Sequence, residues 1–339
     1  MKSIKYCENP PVFISHTAVG GFEEGQGPLG EGFDHIDESD LFGQKTFEMA
    51  EGEMGRCAVN LALSKASLSH GDIDLAIAGD LQNQCVASSS GLGSFGIPFL
   101  GVYGACSTCT EALLIASAFT ECQAARTVLT LTTSHNSAAE RQFRTPLEYG
   151  GQRTPSAQWT ATAAGAFVLS SDTVLSERVK TPFKAAIKAF SPGRIIDGAT
   201  PDGSNMGGAM AFAAADSVLS FFSLSGKSPA DFDLIVTGDL GKVGSDILHD
   251  ILSDRLPAAA PRHTDCGLLL YDGKKDIHGG ASGCGTSASV LASHFLPMIE
   301  KGDIRDILFL STGALMSPSS VLQGNNIQGI APVIHIGRL

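Results

Sequence analysis

Positive charge is scarce in this sequence of 339 residues, where 23 lysines and arginines stand against 35 aspartates and glutamates. The formal net charge is −12, and the basic residues are scattered along the chain rather than clustered. A nucleic-acid surface needs clustered Lys and Arg to neutralise phosphates. The composition therefore excludes nucleic acid as a partner.

Long apolar runs are lacking as well. The N-terminal stretch MKSIKYCENPPVFISH has no apolar core of the kind found in signal peptides. We find no run close to the roughly 18 to 20 apolar residues that cross a bilayer. We therefore expect no signal peptide and no transmembrane segment, and a protein that is at most peripheral to a membrane.

Cysteine is sparse, with eight residues at positions 7, 57, 85, 106, 109, 122, 266 and 284. This spread favours free thiols in a reducing compartment over a disulfide framework. Cys106 and Cys109 form a Cys-x-x-Cys motif without a second pair or a nearby His, which disfavours zinc. If a helix begins near Ser107, Cys109 turns away from Cys106, which disfavours a redox pair. We predict no metal site and no cofactor.

What the sequence does contain is an internal repeat. LSHGDIDLAIAGDL (68–81) and KSPADFDLIVTGDL (227–240) are identical at seven of fourteen positions, at an offset of 159 residues. RTVLTLTTSHNS (126–137) and RDILFLSTGALM (305–316) form a second pair. Two repeats of this length are too long for a solenoid, and they indicate duplicated α/β halves over 1–177 and 178–339.

Strand and helix patterns alternate within each half. Short runs such as LAIAG and TVLTLTT are almost free of polar alternation, which is typical of a sheet buried between helices. The apolar run before Cys106 leads into a helix from residue 107 to about 123. Residues 138–161 are rich in polar, Gly and Pro residues and are interpreted as a long loop that lines a site.

These motifs together resemble a known family. Duplicated α/β halves, DIDLAIAGD and a Cys at a strand-to-helix turn in GACSTCTEAL are similar to the thiolase and β-ketoacyl synthase superfamily. More narrowly, AGDLQNQ, YGACSTCTE, TTSHNSAAERQFRTPLEYGGQ and DCGLLLYD resemble the stage V sporulation protein AD family. The resemblance implies a five-layered αβαβα fold with two halves related by a pseudo-twofold axis.

In enzymes of the superfamily, a Cys thiolate takes the acyl group and His, Asn or a second Cys completes the site. A helix N-terminus favours the thiolate of Cys106. However, Asp239 stands at the position that resembles the catalytic His, and GGASGCGTSAS contains neither His nor Asn. The terminal hairpin has no Cys, and an ionised Asp raises a thiol pKa and cannot donate to an oxyanion. We therefore predict no catalysis, with Cys106 as the nucleophile-equivalent position.

The family resemblance implies a ligand, dipicolinic acid (pyridine-2,6-dicarboxylic acid), free or as its calcium chelate. Amides at the helix start and a fork of arginines would hold its carboxylates. The predicted ligand-binding residues are Cys106, Asp80, Ser107, His135, Arg141, Arg144, Asp239 and His263. The plainer alternatives are that Asp80 and Asp239 cap helices, that the two arginines are solvated or face a dimer partner, and that His263 is structural.

The resemblance further implies uptake of dipicolinic acid into the developing spore and its release in germination. A peripheral position at the forespore or spore inner membrane, beside other SpoVA membrane proteins, belongs to the same expectation. The sequence leaves the oligomeric state open, a homodimer included. The alternative function is an acyltransferase or thioesterase that uses Cys106 as nucleophile, with His135 or His263 as base.

Overall fold

The computed structural model describes residues 3–143, 154–171, 175, 179, 185–271 and 277–339. The strands of this part of the chain are β1 (Lys5–Tyr6), β2 (Val12–Gly21), β3 (His35–Asp37), β4 (Leu75–Gly79), β5 (Phe99–Gly101), β6 (Thr127–Ser134), β7 (Trp159–Thr160), β8 (Ala163–Ser170), β9 (Ala185–Ser191), β10 (Ile196–Asp197), β11 (Leu234–Thr237), β12 (His263–Asp265), β13 (Ala281–Ser282), β14 (Asp306–Leu310), β15 (Gly313–Leu315), β16 (Gln328–Ile330) and β17 (Val333–Arg338).

The α-helices of the same ranges are α1 (Phe22–Gly25), α2 (Phe47–Lys65), α3 (Val86–Leu92), α4 (Thr108–Glu121), α5 (Asn136–Phe143), α6 (Met206–Ser225), α7 (Gly241–Arg255), α8 (Cys266–Tyr271), α9 (Cys284–Val290), α10 (Leu296–Lys301) and α11 (Pro318–Leu322). A π-helical turn, Leu291–Phe295, joins α9 to α10. The helix predicted from residue 107 to about 123 is α4. The predicted loop over 138–161 begins inside α5, and part of it, 144–153, lies outside the described residues.

The main sheet is built twice from the same plan. Its path is β12-β11-β14-β17-β9-β2-β8-β6-β4-β5. Strands 1 to 5 are β2, β4, β5, β6 and β8 in the first half, and β9, β11, β12, β14 and β17 in the second. Read from the outer edge of the sheet toward its middle, each half has the order 3-2-4-5-1. In both halves strand 2 is parallel to strands 3 and 4, and strand 5 is antiparallel to strands 4 and 1. The prediction of a duplicated α/β fold is confirmed.

Asp74 and Asp233, which are identical positions of the repeat, make equivalent hydrogen bonds in the two halves. Asp74 accepts hydrogen bonds from the amides of Arg126 and Thr127 at 2.8 and 3.0 Å, which ties strand 2 of the first half to the start of strand 4. Asp233, at the related position, accepts from the amides of Arg305 and Asp306 at 2.7 and 3.0 Å. The identical positions therefore preserve backbone connections within each half.

Five layers result from this plan. Between the two halves of the sheet lies the largest apolar core, which includes residues of α4, α9 and α10. A second core packs α2 against the outer side of the first half, and a third packs α6 and α7 against the outer side of the second half. Both sides of the main sheet are buried, which explains why its strands show little polar alternation. The boundary predicted between residues 177 and 178 falls outside the described residues and stays a prediction.

One helix corrects the expectation of no membrane-length apolar run. Met206–Ser225 is long and apolar enough to cross a membrane by length and composition, the single such helix in the described ranges. However, 67% of its apolar window is buried inside the fold, where Met210, Val218 and Phe221 join the outer core of the second half. Its apolarity is used in packing against the sheet.

Candidate functional site

Cys106 lies at a tight turn that leads from a strand into a buried helix. The chain leaves β5, makes one 3₁₀ turn over Ala105–Ser107 and enters α4 at Thr108. Ala105 has a φ of 53°, in the left-handed region that residues other than glycine seldom adopt. The turn places Cys106 at the N-terminus of α4, with 7% of its surface exposed, as the sequence predicts.

Cys106 opens on a cavity of about 820 Å³. The first half lines it with Tyr103, Cys106 and Phe143, and the second half lines it with Met206 and most of α11. The volume is in the usual range for small-molecule sites. Because much of the lining is aromatic or aliphatic, a bound ligand would depend on a few polar contacts for its orientation.

Asp239 packs against the Cys106 thiol. Its carboxylate accepts hydrogen bonds from Thr312 Oγ1 at 2.9 Å and from the Gly283 amide at 2.9 Å. The Cys106 thiol lies beside the same carboxylate, and each group shifts the pKa of the other. The fold thus brings together two of the predicted site residues, Cys106 from the first half and Asp239 from the second.

Burial is the main cause of the raised pKa of both residues, and it acts together with nearby charges. Burial raises the pKa of Asp239 to about 7, and the nearby charge of Asp265 acts in the same direction. Burial also raises the pKa of Cys106 well above its ordinary value, and the charge of Asp239 raises it further. These effects outweigh the helix N-terminus, which was expected to favour the thiolate. Cys106 is therefore a neutral thiol at neutral pH.

Further contacts hold Asp239 in place. Gln158 Nε2 donates to the Asp239 carbonyl at 2.7 Å and to the Ala281 carbonyl at 2.9 Å. Asp265, the last residue of β12, accepts from the amides of Leu240 and Gly241 at 2.9 and 3.0 Å and so caps α7. Since Asp265 performs the capping, the Asp239 side chain is left to face Cys106.

Asp80 has the repeat-related position in the first half, but it does not line the cavity. It accepts from the Gln82 amide at 2.8 Å and from the amide and hydroxyl of Ser88 at 2.7 and 2.5 Å. This is the helix-capping alternative from the sequence. Burial raises the pKa of Asp80, and burial together with the Asp80 charge raises the pKa of neighbouring Glu51 to about 8.

Ser107 is turned into the protein and does not line the cavity. Its hydroxyl lies 2.6 Å from the Gly104 carbonyl and 2.5 Å from Glu111 Oε1. Its amide donates to the Gly104 carbonyl at 3.2 Å. The 3₁₀ turn therefore uses the amide that the sequence assigned to a ligand carboxylate.

His135 has a structural environment. Its Nδ1 accepts from the Ser137 amide at 3.2 Å, so Nε2 carries the proton and donates to the Asp40 carbonyl at 2.8 Å. The ring of Phe47 lies 5.2 Å away. Burial lowers the pKa of His135, and the residue does not line the cavity.

Arg141 and His263 are also not brought to the cavity. Arg141 lies on α5, where it forms a salt bridge of 2.9 Å with Glu48 and its side chain is 61% exposed. His263 bonds to Thr237 Oγ1 at 2.8 Å, and burial, with His249 nearby, lowers its pKa to about 4. Arg144 lies outside the described residues.

Sequence reasoning missed two buried hydroxyl residues that do line the cavity, Thr160 and Ser282. Ser282 lies directly before Gly283, in the segment GGASGCGTSAS, which contains neither His nor Asn. Thr160 lies in the stretch that was interpreted as a loop. In the lining that the structure describes, Glu140 is the charged side chain and no Lys or Arg is present. The described residues also contain no group of three or more His, Cys, Asp or Glu that could hold a metal ion.

Comparison with known proteins places the chain in a family. The model for Stage V sporulation protein AD (SpoVAD) matches residues 2–337. The chain belongs to this family. Stage V sporulation protein AD of Bacillus subtilis (strain 168) is 40% identical over 322 residues, which cover 95% of this chain and 93% of that protein. The chain is thus related to a sporulation protein along almost its whole length.

Solved structures with the same fold are enzymes of the thiolase-like group. The 3-oxoacyl-[acyl-carrier-protein] synthase III from Aquifex aeolicus VF5 matches with a TM-score of 0.56 and 14% identity, over 96% of this chain and 99% of that one. A variant of OleA from Xanthomonas campestris matches with a TM-score of 0.60 and 12% identity, over 98% and 99%. At these identities the likeness shows the thiolase-like fold alone.

Proposed function

We propose that this protein binds dipicolinic acid without chemically changing it, for uptake into the developing spore and release in germination. The observation that carries the proposal is the pairing of Cys106, which lines the cavity, with the buried Asp239 behind it. That pairing leaves a cavity at the position of an acyl-transfer site, but with a protonated thiol. Membership in a family of sporulation proteins supports the biological setting.

The electrostatics beside the cavity disfavour acyl transfer. A Cys nucleophile acts as a thiolate and is normally activated by a base or by a lowered pKa. Here both burial and the Asp239 carboxylate raise the thiol pKa. Above its pKa of about 7 the Asp239 carboxyl is ionised, and it cannot then donate a hydrogen bond to the developing oxyanion of a thioester.

The shape of the cavity suits a small aromatic ligand. Tyr103 and Phe143 line it and offer aromatic surfaces against which a pyridine ring can pack. The two carboxylates need compensating charge, because burial of an unpaired anion is costly. Arg144 is one predicted source of that charge. Calcium is the other, since a chelated Ca²⁺ binds carboxylate oxygens and enters with the ligand.

The proposal includes peripheral attachment at the spore inner membrane, with other SpoVA membrane proteins providing the path across it. The net charge of −12 supports contact with proteins rather than with anionic lipid.

Isothermal titration calorimetry of the purified protein with dipicolinic acid tests the proposal, once with EDTA and once with equimolar Ca²⁺. We expect saturable binding and unchanged ligand on recovery. Cys106→Phe should weaken binding at least about tenfold because the larger ring fills the head of the cavity. Cys122→Phe, at an exposed cysteine, is the matched control. No saturable binding under either condition would overturn the proposal.

A second candidate function is acyl transfer or thioester hydrolysis through Cys106. It is favoured by the position of Cys106 at the start of α4 in a fold shared with 3-oxoacyl-[acyl-carrier-protein] synthase III. Intact mass measurement after incubation with acyl thioesters tests it. An acyl adduct that is absent in Cys106→Ala would put this function ahead of the first.

A further inference from the structure

Two short strands bring a pair of hydroxyl groups to the cavity. β7 and β13 form a small parallel sheet of their own, and in its register Thr160 lies directly beside Ser282. The two side-chain oxygens are 3.4 Å apart. Both residues line the cavity together with Cys106, and 6% of Thr160 and 1% of Ser282 are exposed.

The hydrogen-bonding capacity of this pair is only partly used. The hydroxyls bond to each other at a long distance, and their side chains have no other partner among the described residues. Their carbonyls are occupied separately, since the Thr160 carbonyl accepts from Asn136 Nδ2 and the Ser282 carbonyl accepts from Thr286 Oγ1. When one hydroxyl donates to the other, one hydroxyl hydrogen remains without an acceptor.

Such a pair is unusual in a buried position, because buried polar groups normally have their hydrogen bonds satisfied. Neither hydroxyl can be ionised at neutral pH, so the pair can donate to an anion without a change of protonation. A carboxylate is acceptor-only and has two oxygens, so it can accept from both hydroxyls at once. The charged acceptor would make both hydrogen bonds stronger than the present one.

We propose that Thr160 and Ser282 form a carboxylate-binding subsite of the cavity, to which one carboxylate of the ligand bonds. The inference rests on the proposed function for the identity of the ligand. The subsite adds the residues that fix the orientation of the ligand. These residues lie on β7 and β13, whereas the sequence analysis placed the carboxylate contacts at the start of α4 and at the arginines of 141–144. The subsite lies beside the Cys106–Asp239 pair, whose acidic side chain would repel a carboxylate placed there.

Calorimetric titration with dipicolinic acid can test the subsite through paired variants. Thr160→Val removes the hydroxyl with little change in volume, and Ser282→Ala does the same at its partner. Each should weaken binding about 10- to 100-fold, as expected for loss of a hydrogen bond to a charged group. Thr160→Ser keeps a hydroxyl at this position and should retain affinity within about threefold of the unmodified protein.

The chain offers matched controls. The hydroxyls of Thr130 and Ser245 are buried and have no hydrogen-bond partner in the described structure, and neither residue lines the cavity. Thr130→Val and Ser245→Ala should therefore leave the affinity unchanged. Binding by the unmodified protein with unchanged affinity in Thr160→Val and Ser282→Ala would overturn the subsite alone. Absence of binding by the unmodified protein would overturn both the subsite and the proposed function.

Discussion

The two halves of the molecule place an aspartate at the same point and use it differently. Asp80 follows strand 2 of the first half, and Asp239 follows strand 2 of the second. Asp80 accepts hydrogen bonds from the backbone and side chain of Ser88 and holds its own loop. Asp239 instead faces Cys106 across the interface between the halves. The two halves share the strand order and the aspartate, while the contacts of that aspartate differ between them.

The difference follows from what else is available to cap the next helix. In the second half Asp265 caps α7 through the amides of Leu240 and Gly241. In the first half Asp80 itself bonds to Gln82 and Ser88. A repeat-related residue is thus free to acquire a role in a site when a neighbouring strand takes over its structural role.

The largest expected effect is a loss of stability in Asp80→Ala, which tests the structural role of Asp80 in the first half. Asp80→Ala removes the acceptor for the Gln82 and Ser88 amides, and it leaves these buried donors unsatisfied. We expect a loss of about 2–4 kcal/mol in the free energy of unfolding, measured by chemical denaturation. Asp239→Asn should cost clearly less, because it retains the volume and one oxygen acceptor. Equal losses in the two variants would contradict the assignment of Asp80 to a structural role.

The pH dependence of stability should also differ between the halves through Glu51, whose pKa is raised to about 8 by burial and by Asp80. The folded state keeps this proton up to about pH 8, whereas the unfolded chain loses it near 4.5. This contribution to stability is therefore complete below about pH 4.5 and is lost as the pH rises through about 8.

Glu51→Gln mimics the protonated form and should remove that loss. Between pH 5 and 8.5 the unmodified protein should lose up to about 4 kcal/mol more stability than the variant. Denaturation curves at both pH values check this expectation, with Glu53→Gln, on the more exposed side of the same helix, as control. The same decline in Glu51→Gln as in the unmodified protein would show that the carboxyl is ionised throughout.

The third prediction compares Asp239 and Asp80 by the effect that each has on the reactivity of Cys106. Asp239→Asn removes a negative charge beside the thiol and so lowers the Cys106 pKa. A decrease of about one pKa unit corresponds to about 1.4 kcal/mol, or about tenfold faster alkylation by iodoacetamide near pH 8. The rate is read by fragment mass spectrometry that assigns the adduct to Cys106, since Cys85, Cys109 and Cys122 lie in the same tryptic peptide. Asp80→Asn should leave this rate unchanged, and acceleration by both variants would show a general opening of the fold.

The sequence by itself determined the duplicated fold and the place of Cys106. Seven identical positions at one offset indicated two halves, and residues such as Asp74 and Asp233 were identical because each ties the same two strands together. The strand-to-helix turn before α4 was readable because apolar strand residues give way to a helical pattern within a few positions. Local patterns of this kind depend on residues close together in the chain.

The tertiary structure alone decided which side chains meet at the cavity. Asp80 and Asp239 each occupy the middle of a Gly-Asp-Leu triplet. The side chain of Asp80 turns toward Ser88 and that of Asp239 turns toward Cys106, and both partners lie outside the triplets. Thr160 and Ser282 become neighbours because two short strands pair in parallel across the halves. A side chain is directed by the partners that burial leaves within hydrogen-bond distance, and sequence spacing does not record those partners.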